Sequence, residues 1–180
     1  MSTLGIVHTV ISVVPLVLGV FAFARDGQID PRNRIGKLYT ATMVATIVTS
    51  FGLSSRGGFN PGHALGLLAL GLMLAGAVAG KIRGLGRALP YVRTLTFSAS
   101  FLLLLVPGVN ETLTRLPVGQ PLASGPESPL VQRSLLGLLL LFLLGSSYQV
   151  FKLRGVDSSG IVATKPGRVS EEDTRSRVAP

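Results

Sequence analysis

Apolar residues fall into five long blocks separated by short polar breaks. No charged side chain interrupts residues 1–24, 38–55, 57–80, 94–110 or 134–151, runs of 24, 18, 24, 17 and 18 residues. An α-helix rising about 1.5 Å per residue needs roughly 20 mostly apolar residues to cross about 30 Å of hydrocarbon. A helix on a soluble domain carries charge along its wet face. These blocks carry none. The pattern predicts an all-α transmembrane helical bundle with five spans, at about 5–24, 37–54, 62–80, 89–107 and 134–151. Together they make one membrane domain over 1–154. The tail at 155–180 is polar, lacks an apolar stripe and is expected to be disordered in the cytoplasm. The connection 108–133, with Pro117, Pro121, Pro126 and Pro129, is expected to be irregular.

The breaks set the orientation. Arg25, Arg32, Arg34 and Lys37 follow the first span, and Lys81, Arg83, Arg87 and Arg93 follow the third. Lys152, Arg154, Lys165, Arg168, Arg175 and Arg177 follow the fifth, leaving only Arg56, Arg115 and Arg133 for the other side. Basic residues are kept on the cytoplasmic face, so the split puts the N-terminus outside and the C-terminus inside. Because no base precedes Arg25 and the run Leu4 to Ala24 exceeds an ordinary signal-peptide core, the first block reads as a retained span.

Composition changes the picture in two ways. In a soluble protein a net charge of +9 would suggest nucleic acid. Here the bases stand at span ends, where they complement helix dipoles and meet anionic headgroups. The expected partner is the lipid bilayer, with a membrane-protein partner or a second copy of the chain, and no nucleic acid. The lack of cysteine removes a disulfide-stapled secreted fold.

Lipid tails are as apolar as leucine, so small and hydroxylated residues mark the packed faces. They predict inward stripes of Gly5, His8, Ser12, Pro15, Gly19 and Ala22 on span 1, and Gly36, Tyr39, Thr42, Thr46 and Thr49 on span 2. Span 3 offers Gly62, Gly66, Ala69, Met73, Gly76 and Gly80, and span 4 Thr94, Thr96, Ser98 and Ser100. On span 5 the expected contacts are Gly137, Gly145 and Tyr148.

His8 and His63 are the only histidines, each near the start of an outside-to-inside span and so at similar depth. Facing imidazoles could ligate a b-type haem axially, or serve quinone-linked redox chemistry. Haem b is the one cofactor weighed, with His8 and His63 as its binding residues. No metal-ligand spacing and no nucleophile–base–acid set can be assembled, so an enzyme is not expected. No acid lies within a span, which disfavours an ion-coupled carrier.

Phe23-Ala24-Arg25-Asp26-Gly27-Gln28, Gly36-Lys37-Leu38-Tyr39 and His63-Ala64-Leu65-Gly66 resemble segments of small bacterial multi-pass predicted membrane proteins of unknown function. The resemblance covers about residues 5–110. It implies a bacterial cytoplasmic (inner) membrane address, and for some relatives a link to respiratory oxidase assembly or haem-containing bundles. Such proteins often place a histidine before span 2, where this chain has Pro31-Arg32-Asn33-Arg34. The expected function is a non-enzymatic component that associates with or assists a membrane complex. The alternative is a haem or quinone-linked protein using His8 and His63, and a carrier comes last.

Overall fold

A computed structural model describes residues 3–53 and 58–162. The first of its five α-helices, α1 (Thr3–Asp26), is followed by α2 (Arg34–Phe51), α3 (Pro61–Val78), α4 (Leu89–Arg115) and α5 (Pro129–Val162). Short 3-10 turns at Ala79–Lys81 and Gly86–Ala88 join α3 to α4, and no strand occurs among the described residues. Four helices, α1, α3, α4 and α5, are long and apolar enough to cross a membrane. The exception is α2. Its first turn holds Arg34 and Lys37, and Thr40, Thr42, Thr46 and Thr49 dilute the rest of the helix.

Each helix begins where local chemistry allows. Asn33 caps α2 by accepting from the Gly36 N–H at 2.8 Å. Asn60 caps α3, with Pro61 in the first turn, where its missing N–H costs nothing. The threonines bond back to their own helix, as Thr46 Oγ1 does to the Thr42 carbonyl at 2.9 Å.

Two boundaries depart from expectation. Helix α4 continues through Pro107 and Gly108 to Arg115, and α5 begins at Pro129, so the irregular connection shrinks from 108–133 to 116–128. An internal proline removes one helix hydrogen bond, a cost that the side-chain bonds of the turns beyond it help to offset. Beyond the proline, Thr112 and Thr114 hydroxyls bond the carbonyls of Gly108 and Asn110, and Glu111 pairs with Arg115 one turn on. The shortened loop folds back on α4, with the Ala123 N–H donating to the Leu113 carbonyl at 2.9 Å. At the other end, α5 runs on through 155–162, the first part of the tail expected to be disordered. The remainder, 163–180, and Arg56 lie outside the described residues.

Helix α1 packs on α2, α2 on α3 and α3 on α4, and α4 also meets α1, which closes a four-helix ring. Tyr39 and Phe97 are fully buried at its centre, with Met43, Met73, Ala69 and Phe101 around them. The Tyr39 ring sits 6.5 Å from Phe97 and 6.4 Å from Phe101, in tilted geometry. The Ser100 hydroxyl donates to the Phe97 carbonyl at 2.8 Å, so it accepts from the Tyr39 hydroxyl at 3.0 Å. Every member of the expected stripes on α1 and α2 is buried or half-buried; on α3 the stripe holds from Gly66 to Gly76, while Gly62 and Gly80 are exposed.

Helix α5 lies outside the ring against α4, with only 6% of its apolar stretch buried. Its contact face differs from expectation. Tyr148 is 62% exposed, and nothing would approach a Cβ on Gly137 or Gly145 within 4 Å. The inward stripe is instead Val131, Leu138, Phe142, Ser146 and Gln149, mostly larger residues at helical spacing. Small side chains on α4, Ser98 and Ala99, supply the room, so α5 needs none of its own.

Candidate functional site

Both histidines contact the last turn of α2. Thr49 Oγ1 has one hydrogen, already shared between the carbonyls of Ala45 (2.9 Å) and Thr46 (3.0 Å). It therefore accepts from His8 Nδ1–H at 2.9 Å, which fixes that tautomer. His63 is committed on both sides. Its Nε2 lies 3.1 Å from the Ser50 carbonyl, which can only accept, so Nε2 carries the hydrogen. Its Nδ1 then accepts from the Asn60 N–H at 3.3 Å, while Asn60 Oδ1 accepts from the His63 N–H at 3.1 Å. This is a reciprocal helix cap with histidine in the usual glutamate position. The ring is stacked on Phe51, centroids 4.6 Å apart, and only 4% of the residue is exposed.

These residues do not fit an axial pair for haem. An iron ligand needs a ring nitrogen lone pair, and His63 has none to give without breaking its cap or stranding the Ser50 carbonyl. The two rings also meet different groups at this helix end, the Thr49 hydroxyl and the Ser50 carbonyl, from helices α1 and α3 that are not neighbours in the bundle. Sequence places the two at one depth; the structure makes them fasteners on one helix end.

The opposite end of the bundle holds the denser polar construction. There α1 terminates, α2 starts, α3 stops, α4 starts and α5 completes its apolar stretch. Ten of the twelve Lys and Arg among the described residues gather at this end. Gly27, at φ +73°, turns the chain out of α1 in the left-handed region that glycine tolerates. The loop 27–33 then folds into the bundle rather than away from it. Ile29 is 1% exposed, and the Thr94 hydroxyl of α4 donates to Gln28 Oε1 at 2.7 Å. From α5, Gln149 Nε2 donates to the Gly27 carbonyl at 2.8 Å, and its Oε1 accepts from the Ser98 hydroxyl at 2.9 Å. Lys152 Nζ donates to the Asp26 carbonyl at 3.3 Å, and Asn33 Nδ2 to Asp26 Oδ2 at 3.1 Å. A Cβ on Gly36 would stand 1.9 Å from the Asp30 carbonyl oxygen, so the loop backbone lies directly on the first turn of α2.

Electrostatics in this corner are local. Asp30 takes the Arg32 guanidinium on both oxygens, at 3.0 and 2.8 Å, and accepts the Arg32 N–H at 2.9 Å. The Arg32 hydrogen bond, with a longer-range contribution from Arg93, holds the Asp30 carboxyl below the usual carboxylate range against its partial burial. Gln28, Ile29, Ser98 and Gln149 form one bracket joining two helices and a loop, and sequence reasoning reached only Ser98. The available signal was Gln149 itself, an amide just inside the end of an otherwise leucine-rich run.

Compared with known protein families, with characterised proteins and with solved structures, the chain matches none. The resemblance to small bacterial multi-pass proteins therefore rests on local motifs alone.

Proposed function

We propose that this chain is a non-enzymatic component of a bacterial cytoplasmic membrane that associates laterally, through α5, with a helix of a larger membrane complex. In this reading all five helices cross the bilayer, with the N-terminus outside and the C-terminus in the cytoplasm. One observation carries it: α5 is held by α4 along a single stripe and turns Leu136, Leu140, Leu143 and Leu144, each more than half exposed, away from the bundle. Those four share one helix face at steps of three and four, the spacing of a helix-docking seam. Support for α2 as a span comes from its burial between α1 and α3, which relieves it of facing lipid all round. The bacterial address is supported by the local resemblance and the basic bias of one end.

Photo-reactive residues placed singly at Leu136, Leu140, Leu143 and Leu141 should crosslink one polypeptide from the first three positions and not from the fourth. Adducts spread evenly around α5, or confined to lipid, would overturn the association. Orientation is checked separately. The chain has no cysteine, so single cysteines at Arg87 and Gly119 report their side without background. Impermeant maleimide on intact cells should label the cysteine at 119 and spare the one at 87. Labelling at 87 would reverse the threading.

A further inference from the structure

Two stripes run side by side from the basic end into the apolar depth. One comprises Gly80, in the 3-10 turn that ends α3, with Gly76 and Leu72 of α3, at steps of four; the other, on α4, comprises Arg93, Thr96 and Ala99, at steps of three. The rungs match. Arg93 Nη2 is 3.1 Å from the place a Cβ on Gly80 would take, and Thr96 Oγ1 is 2.3 Å from that of Gly76. Beside the third rung, α3 and α5 do not meet across α4. Leu72, Leu95, Thr96 and Ala99, with Phe142 and Ser146 of α5, line a groove of about 380 Å³.

The groove is too small for a helix about 10 Å across, and its volume is that of a small-ligand site. Its exposed wall is almost wholly hydrocarbon. Thr96 donates to its own helix at the Val92 carbonyl, 2.8 Å away. Ser146 Oγ is buried with no hydrogen-bond partner among the described residues. One turn of α4 before Thr96 stands Arg93, its guanidinium against Gly80; Lys81 follows Gly80, and Arg83 and Arg87 lie in the connection beyond. None of these four makes an ion pair among the described residues. Asp30, already paired with Arg32, is the acid that feels the Arg93 charge.

We propose that this groove binds one anionic diacyl phospholipid. The phosphate sits at Arg93 and Lys81, where a guanidinium fork suits two phosphate oxygens. An acyl chain then fills the slot between Leu72, Ala99 and Phe142. Charge and then hydrocarbon succeed one another inward, as headgroup and tails do in a phospholipid. The site requires the protein to reside in a membrane but is independent of any helix docking on the outer face of α5.

The test is native mass spectrometry of the full chain in detergent, titrated with dioleoyl phosphatidylglycerol, dioleoyl phosphatidylcholine or glycerol phosphate. One phosphatidylglycerol should be retained, preferred over phosphatidylcholine by about 5-fold or more, the worth of one base near an anionic headgroup. Arg93→Gln should erase that preference while the lipid still binds. Ala99→Phe, and independently Leu95→Phe, should fill the slot and lower occupancy about 10-fold, with helix content by circular dichroism confirming that the variant read is folded. Equal retention of the two lipids by the unaltered protein would overturn the site, as would undiminished occupancy in a folded slot-filled variant. Competition by glycerol phosphate as strong as by the diacyl lipid would also overturn it, by assigning the contact to free phosphate.

Discussion

Gly36→Ala is expected to destabilise the bundle by about 3 kcal/mol or more, the upper range for forcing an added methyl into a packed site. The added Cβ would arrive 1.9 Å from the Asp30 carbonyl oxygen and 2.4 Å from its carbon. Backbone is the obstacle here, so no side chain can swing clear. Either the first turn of α2 unwinds or the loop lifts off. Lifting the loop pulls Ile29 out of the core and separates Gln28 from Thr94. The measurement is unfolding in mixed detergent followed by circular dichroism, with Gly145→Ala as the comparison. Nothing lies within 4 Å of a Cβ there, so that change should stay within about 0.5 kcal/mol. If both variants unfold at the same detergent fraction, the close approach at Gly36 is not what fixes this corner.

Gln149→Met should cost about 2 kcal/mol, although it preserves the length and most of the volume of the side chain. Hydrogen bonds between membrane helices average nearer 0.6 kcal/mol each, because an unfolded chain in lipid also finds partners. The larger figure applies here because one amide serves two otherwise unmatched groups. Its loss leaves the Gly27 carbonyl without the donor from α5 and the Ser98 hydroxyl without its acceptor, both at a buried junction. Coupling can be read directly. In a cycle with Ser98→Ala, the double variant should recover about 1 kcal/mol relative to the sum of the singles. Strict additivity would mean that Ser98 and Gln149 act separately.

Much of the fold is legible in the order of residues, because membrane helices must be long, uncharged and closed on their own hydrogen bonds. The blocks between Arg25, Lys37, Lys81, Arg93 and Lys152 locate five helices to within a few residues at most ends. Inward faces on α1 and α2 are legible too, since Pro15, Gly19 and Ala22 are small enough to admit a neighbour at helical spacing. Legibility fails where a residue's role depends on a distant partner. Pro107-Gly108 reads locally as a stop, yet the side-chain bonds of the turns beyond it help to offset the lost hydrogen bond. Gln149 reads as an interfacial amide, and nothing near it in the chain points to Gly27, 122 positions away. For the histidines, distance from the helix start gives depth but says nothing about which group each ring meets. Those distant partners, the Thr49 hydroxyl and the Ser50 carbonyl, separate an axial pair from two fasteners.

The length of α5 has a mechanical consequence. Its apolar stretch gives way to charge at Lys152, but the helix persists to Val162. Ten further residues at about 1.5 Å each carry the helix roughly 15 Å past Lys152. The direction of that extension is set by how α5 leans on α4, so that a small tilt of the helix is amplified at its far end.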